Sequence, residues 1–170
     1  MRPHHIAFIA SALSLTACAS MGLPGSSDMT PNDRVNYVAM AGASDLFEIQ
    51  SSQIALTKAQ RPETRQFAQM LITHHTQTTA ALTAAAAASG MTPPMPTLMP
   101  MQRQMIDALQ GSAAGSFDQL YIRQQVPAHE MALALHQNYA ANGDAVALRA
   151  AAASAVPIVQ QHLTQARQMD

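Results

Sequence analysis

Four polar side chains, one on each of four predicted helices, could bind a metal ion or share a proton. They are Glu48, His75, His129 and His162. Each histidine shares a helical face with apolar residues, and Glu48 lies on a strip of small residues beside an apolar stripe. The sequence therefore predicts that all four face the interior. A glutamate buried among histidines needs partners, because an unpaired polar group in an apolar interior costs free energy.

Two interpretations of this group remain open at this point. One is a metal ion held by imidazoles and a carboxylate, a ligand set that suits zinc, iron or copper. The other is a metal-free network in which the glutamate pairs with protonated or neutral histidine. The usual ferritin di-iron site is disfavoured because it needs two Glu-x-x-His pairs. None of the three glutamates in the chain has a histidine three residues later: Glu48, Glu63 and Glu130.

Among the possible function classes, the sequence favours a binding module or a structural protein over an enzyme. Nothing resembles a nucleophile beside its base or a glycine-rich phosphate loop, so no catalytic residue is assigned. The formal net charge is −1 and tryptophan is absent. Nucleic-acid binding is therefore not expected, since it relies on basic clusters and on aromatic residues that stack with bases.

Further histidines and methionines have an ordinary interpretation beside a functional one. His74 borders the core stripe and suits a ligand as well as it suits exposure to solvent or a contact at the edge. His136 lies seven residues after His129, and we expect it to be partly exposed at the end of the bundle. Thioethers bind copper(I), but we expect the clustered methionines to fill irregular gaps. These are Met91, Met95, Met99, Met101 and Met105.

The composition predicts an all-α fold, because helix-forming alanine, glutamine, leucine and methionine dominate. Four long helices are predicted, separated by short connections and by one long link over residues 91–115, in which Met101 to Leu109 suggests a short helix. The links between the helices are short, long and short in this order, which is the pattern of a ferritin-like four-helix bundle with one crossover. The helices are expected from Thr30-Pro31-Asn32-Asp33 to Pro62, from Pro62 to Ser89-Gly90, from about Ser116 to Asn142 and from about Asp144 to Met169.

The position of each polar residue along its helix predicts its depth. Counting from the connecting turns at a rise of 1.5 Å per residue places Glu48, His75 and His129 near one level. His162 is farther from its turn and could lie roughly 8 Å off that level. A bend at Pro157 would change this distance.

The N-terminus predicts export and lipidation. Arg2 precedes an apolar stretch of ten residues, Ile6 to Leu15, which is too short to span a bilayer and fits a secretory signal. Leu15-Thr16-Ala17-Cys18 then resembles a bacterial lipobox, and Cys18 is the only cysteine, so no intramolecular disulfide can form. Ala19 is typical of an outer-membrane address. The predicted organisation is a signal peptide over 1–17, a lipidated cysteine and tether over 18–31, and a helical domain over 32–170.

Several motifs, taken in order, resemble those of a known family. They are Glu48 followed by Ile54-Ala55-Leu56, Phe67-Ala68-Gln69-Met70 ahead of His75, Phe117-Asp118-x-x-Tyr121, the alanine and leucine segment after His129, and Pro157-x-x-x-x-His162-Leu163. Over roughly residues 33 to 167 the chain is similar to bacterial exported proteins known as domain of unknown function 4142, described as ferritin-like. The family usually has Asp-His where this chain has His74-His75. The resemblance implies the fold but no settled activity.

Together these observations predict an outer-membrane lipoprotein that faces the periplasm, with the lipid on Cys18 as its membrane anchor. Its helical domain is interpreted as a binding module for one transition-metal ion, held by Glu48, His75, His129 and His162. The alternative is a metal-free structural or stress-related envelope protein that acts through protein contacts.

Overall fold

The computed structural model describes residues 31–170, and this part of the chain is helical with no strand. The all-α prediction is therefore confirmed. A short helix lies in the long link, and no helix in the described range is long and apolar enough to cross a membrane. The predicted signal peptide and Cys18 precede the described residues. The helices are α1 (Arg34–Lys58), α2 (Pro62–Ala88), α3 (Pro100–Gly111), α4 (Ala114–Asn142) and α5 (Val146–Met169).

The start of α1 differs from the predicted one. The N-cap is Asp33, whose Oδ1 accepts a hydrogen bond from the backbone N–H of Asn36 at 2.9 Å. Pro31 and Asn32 remain outside the helix, because the Asp33 side chain satisfies a free N–H group of the first turn. The start of α2 at Pro62 agrees with the sequence prediction.

The four long helices enclose a common interior. α1 packs against α2 and α4, α5 packs against α2 and α4, and α3 lies against α1 and α4. One apolar cluster uses the beginning of α1 and the end of α2, and includes Tyr37, Leu82 and Tyr139. A second uses the other ends of those helices and includes Phe67 and Tyr121. Between the two clusters each long helix carries at least one buried polar residue, so a polar layer crosses the middle of the apolar core. Thr64, Asp118 and His136 are also buried, but they lie at the levels of the clusters themselves.

The link between α2 and α3 crosses the surface of α1 at Gly42. A Cβ added at Gly42 would lie 3.4 Å from the Pro96 ring, at van der Waals contact, so the link packs directly against α1 at this point. The methionines of the link do not all fill gaps. Met91 packs against the first apolar cluster, but Met95 and Met101 are 86% and 67% exposed. The gap-filling prediction is wrong for these two, because the link presents them to solvent.

Candidate metal centre

Three histidines from three helices converge in the polar layer. His75 from α2, His129 from α4 and His162 from α5 each offer a ring nitrogen, and these nitrogens lie within 4.8 Å of one another. The ring centroids are 5.7 Å apart for His75 and His129, 5.2 Å for His75 and His162, and 5.3 Å for His129 and His162. All three rings are buried, with no more than 2% of any residue exposed. We call this group the histidine trio.

Hydrogen bonds orient two of the three rings. His75 Nδ1 is 2.8 Å from Oδ1 of Asp45, and His129 Nδ1 is 2.9 Å from the backbone oxygen of Gln125. Neither oxygen carries a hydrogen, so each Nδ1–H must donate. Nε2 of each neutral ring is then left with its lone pair. Among residues 31–170 neither Nε2 finds a hydrogen-bond partner.

The third ring is held by His74. His162 Nε2 lies 2.8 Å from His74 Nδ1, a hydrogen bond that either nitrogen can donate. When His162 donates, its Nδ1 carries the lone pair, and this atom has no partner in the described chain. Each imidazole of the trio is then fixed by one nitrogen and free at the other, which is the arrangement of metal-ligating histidines.

Glu48 of α1 lies beside the trio rather than within it. The nearest ion-pair contact joins its Oε1 to His129 Nδ1 at 3.8 Å, which is longer than a hydrogen bond. Both carboxylate oxygens are buried and lack a hydrogen-bond partner among the described residues. Burial raises the pKa of Glu48 to about 8, although the nearby charge of His75 opposes this rise. The interior thus contains a carboxyl group that only a proton or another cation would satisfy.

Asp45 is the functional residue that the sequence analysis missed. Its buried carboxylate accepts hydrogen bonds from His75 at 2.8 Å, from Thr78 Oγ1 at 3.0 Å and from Thr79 Oγ1 at 3.0 Å. Burial lowers the pKa of His75, but the hydrogen bond to Asp45 and the charge of Glu48 outweigh it, so the net shift is upward. A signal was present, because Asp45 precedes Glu48 by three residues and so shares its helical face.

The other two histidines of the trio stay neutral. Burial, reinforced by the charge of His75, lowers the pKa of His129 to about 3 and that of His162 to about 2. Neutral imidazole is the form that ligates metals. Two neutral imidazoles, a third imidazole backed by a carboxylate, and the adjacent Glu48 form a donor set that fits zinc, iron or copper.

The structure changes the interpretation of three histidines. His162 lies level with His75 and His129, because α5 continues through Pro157 and brings its ring within 5.3 Å of both. His136 is buried rather than partly exposed, with its Nδ1 3.0 Å from the Tyr37 hydroxyl. The expectation of an exposed His136 is therefore wrong. His74, for which the sequence left several interpretations open, makes an edge contact with His162 of the trio.

Comparison with known proteins places the chain in a family. Solved structures of CopM have a similar fold: the Cu(II)-bound form has a TM-score of 0.67 at 21% identity, and covers 80% of this chain and 94% of its own. The Cu(I)-bound form has a TM-score of 0.66 at 20% identity, with the same coverage. The Ag-bound form has a TM-score of 0.65 at 20% identity, and covers 80% of this chain and 93% of its own. No curated protein sequence matches. The domain of unknown function DUF4142 matches residues 19–169, and the chain belongs to this family.

Proposed function

We propose that the protein is a binding module that holds one transition-metal ion at the histidine trio, with Glu48 as the carboxylate ligand. The observation that carries this proposal is the set of free atoms: three ring nitrogens and one carboxyl group, all buried and without partners in the described range. An unsatisfied buried polar group costs about 1–3 kcal/mol. A metal ion would satisfy all four groups at once.

Copper is the ion that we favour among zinc, iron and copper. Imidazole suits all three, but CopM, whose fold is similar, has been solved with Cu(II), Cu(I) and Ag. In this proposal the four long helices form a ferritin-like four-helix bundle, and the link with α3 is its crossover. Each long helix would supply one ligand, so that the ion would join four separate segments.

A second candidate function needs no metal. Asp45 and Glu48 raise the pKa of His75, and a protonated His75 could offset one buried negative charge without a metal ion. The polar layer would then be an internal ion network. The protein would be a structural or stress-related envelope protein that acts through contacts with other proteins.

Thermal unfolding with and without copper separates the two functions. Copper added to metal-free protein is expected to raise the melting temperature, because a ligand that binds only the folded state contributes about 2.7 kcal/mol at one hundred times its dissociation constant. His129→Ala should abolish this rise. His136→Gln is the matched control, since it removes a buried histidine outside the trio, and it should retain the rise.

The metal-free alternative predicts a different result in the same experiment. Copper would then leave the melting temperature of the natural protein unchanged. His129→Ala would still destabilise it by about 1–3 kcal/mol, because buried partners would lose a hydrogen bond. That combination would reject the metal-binding proposal.

We also propose that the protein is an outer-membrane lipoprotein facing the periplasm. Leu15-Thr16-Ala17-Cys18 supports lipidation, and the family match begins at residue 19, directly after Cys18. Cys18→Ser is expected to release the protein from the membrane fraction or to block its maturation. Ala19→Asp keeps the lipid and should move the protein to the inner membrane. If Cys18→Ser fractionates with the outer membrane as the natural protein does, the anchor is wrong.

A further inference from the structure

The histidine trio is closed to solvent, so an ion needs a route to it. All three rings and Glu48 are buried. Two of the residues that hydrogen-bond to the trio, Asp45 and Gln125, are buried as well. A metal site needs a path by which the ion arrives as well as a set of ligands.

His74 is the half-buried residue that connects the trio with the surface. Its ring is stacked on that of His162, with centroids 5.1 Å apart and planes inclined by 11°. Among the residues of the described chain that hydrogen-bond to a trio imidazole, it alone is not fully buried. His162 thus touches His74 with one nitrogen and offers the other to the trio.

We propose that His74 is the uptake ligand of the centre: an ion binds first between His74 Nδ1 and His162 Nε2, and then moves inward to the free nitrogens of the trio. This inference rests on the proposed metal binding. The two nitrogens are 2.8 Å apart, which is also the separation of two imidazole ligands that bind one ion at about 2.0 Å and at a right angle. A right angle suits the tetragonal geometry of Cu(II). The ion takes the place of the hydrogen between these two nitrogens, and that proton passes through solvent to the other nitrogen of the ring that donated it. When the ion moves inward to Nδ1 of His162, the ring gives up its proton there and regains one on Nε2, so that the number of protons on each ring is the same before and after.

A second route is less suited to an ion. A cavity of about 180 Å³ reaches Asp45 and is also lined by Tyr37 and His136. No trio residue lines it, and the remaining wall is mainly apolar. The Asp45 carboxylate already accepts three hydrogen bonds. An ion in this cavity would face a carboxylate that is fully engaged, with the His75 ring still between it and the centre.

The rate at which the full chain takes up copper tests the inference, and it is measured by stopped-flow mixing of the metal-free protein with Cu(II). His74→Leu removes both the ligand and the hydrogen bond. His74→Asn keeps an oxygen that can accept the His162 hydrogen bond but lacks the imidazole. Both variants should load at least about tenfold more slowly, because each lacks the first ligand on the path by which the ion enters. The equilibrium dissociation constant of the Asn variant should be nearly unchanged. Ser154→Leu, which obstructs the cavity, should load at the normal rate.

Four outcomes would overturn the inference. If His74→Asn loads at the normal rate and only His74→Leu is slow, His74 merely orients His162. If Ser154→Leu slows loading, the ion enters through the cavity. If the natural protein binds no copper at equilibrium, the proposed function itself fails, whereas normal affinity with unchanged rates in both His74 variants rejects the uptake role alone.

Discussion

Acidification of the metal-free protein from pH 6.5 to pH 4.5 is expected to lower its free energy of unfolding by about 4–5 kcal/mol. The cause is a set of three buried histidines that fold in the neutral form. Burial lowers the pKa of His129 to about 3, that of His162 to about 2 and that of His136 to about 4, from an ordinary value of 6.5. Below pH 6.5 these three histidines therefore bind protons in the unfolded chain but stay neutral in the folded chain.

The sign of the effect follows from proton linkage. Each additional proton bound by the unfolded state costs about 1.4 kcal/mol of stability per pH unit of acidification. Glu48 acts in the opposite direction between pH 8 and pH 4.5, because its raised pKa lets the folded state hold a proton that the unfolded state has lost. His75 has a raised pKa and is protonated in both states at low pH. On acidification the destabilising effect of the three histidines is larger than the stabilising effect of the single carboxyl group, so the free energy of unfolding falls.

Denaturant titrations at several pH values measure this loss. His136→Gln removes one of the titrating groups without touching the histidine trio, and it should reduce the acid-induced loss by about 2 kcal/mol. Gln137→Ala changes an exposed neighbour on α4 and should leave the loss unaltered. A free energy of unfolding that stays constant down to pH 4.5 would contradict the neutral buried state of these rings.

Most of the fold could be predicted from local signals. Helix formers with a period of three to four residues, Pro62 and the Asn142-Gly143-Asp144 turn are properties of neighbouring residues, and the helices follow them closely. The start of α1 is predicted too early. Asp33 is its N-cap, and the Asp33 side chain accepts a hydrogen bond from the backbone N–H of Asn36.

The burial of Glu48, His75, His129 and His162 could be predicted, but the part played by Asp45 and the geometry of the candidate site could not. The inward faces of His75, His129 and His162 follow from periodicity alone. The level of His162 depends on how α5 passes Pro157 against the other helices, which is a tertiary effect. The same is true of His136, because its partner Tyr37 is 99 residues away in the chain. The contact between His74 and His162 also joins two distant helices and has no local signature.

Glu48→Gln is expected to change the metal-free and the metal-bound protein in opposite directions. The buried carboxylate has no hydrogen-bond partner among the described residues, and burial raises its pKa from 4.5 to about 8. A neutral amide removes the cost of ionising this group in the folded state. The gain in the free energy of unfolding of metal-free protein should grow from near zero below pH 4.5 to on the order of 4 kcal/mol above pH 8.

Copper affinity should move the other way. An amide oxygen is an uncharged and weaker ligand than a carboxylate, so Glu48→Gln is expected to weaken copper binding by at least about tenfold. Glu63→Gln makes the same change on the exposed surface of α2 and should alter neither quantity. Calorimetric copper titration and denaturant unfolding across the same pH range measure both effects.

The two signs together decide what the carboxylate is for. If Glu48 serves as counter-ion to a protonated His75 in a metal-free network, removing its charge leaves His75 with Asp45 alone. The Gln variant would then unfold more easily at neutral pH, and copper would stabilise neither protein. If Glu48 is a metal ligand, its negative charge destabilises the metal-free folded protein and stabilises the protein only when a cation is bound. A variant that is more stable without copper and less stable with it is the result that only the metal-ligand role explains.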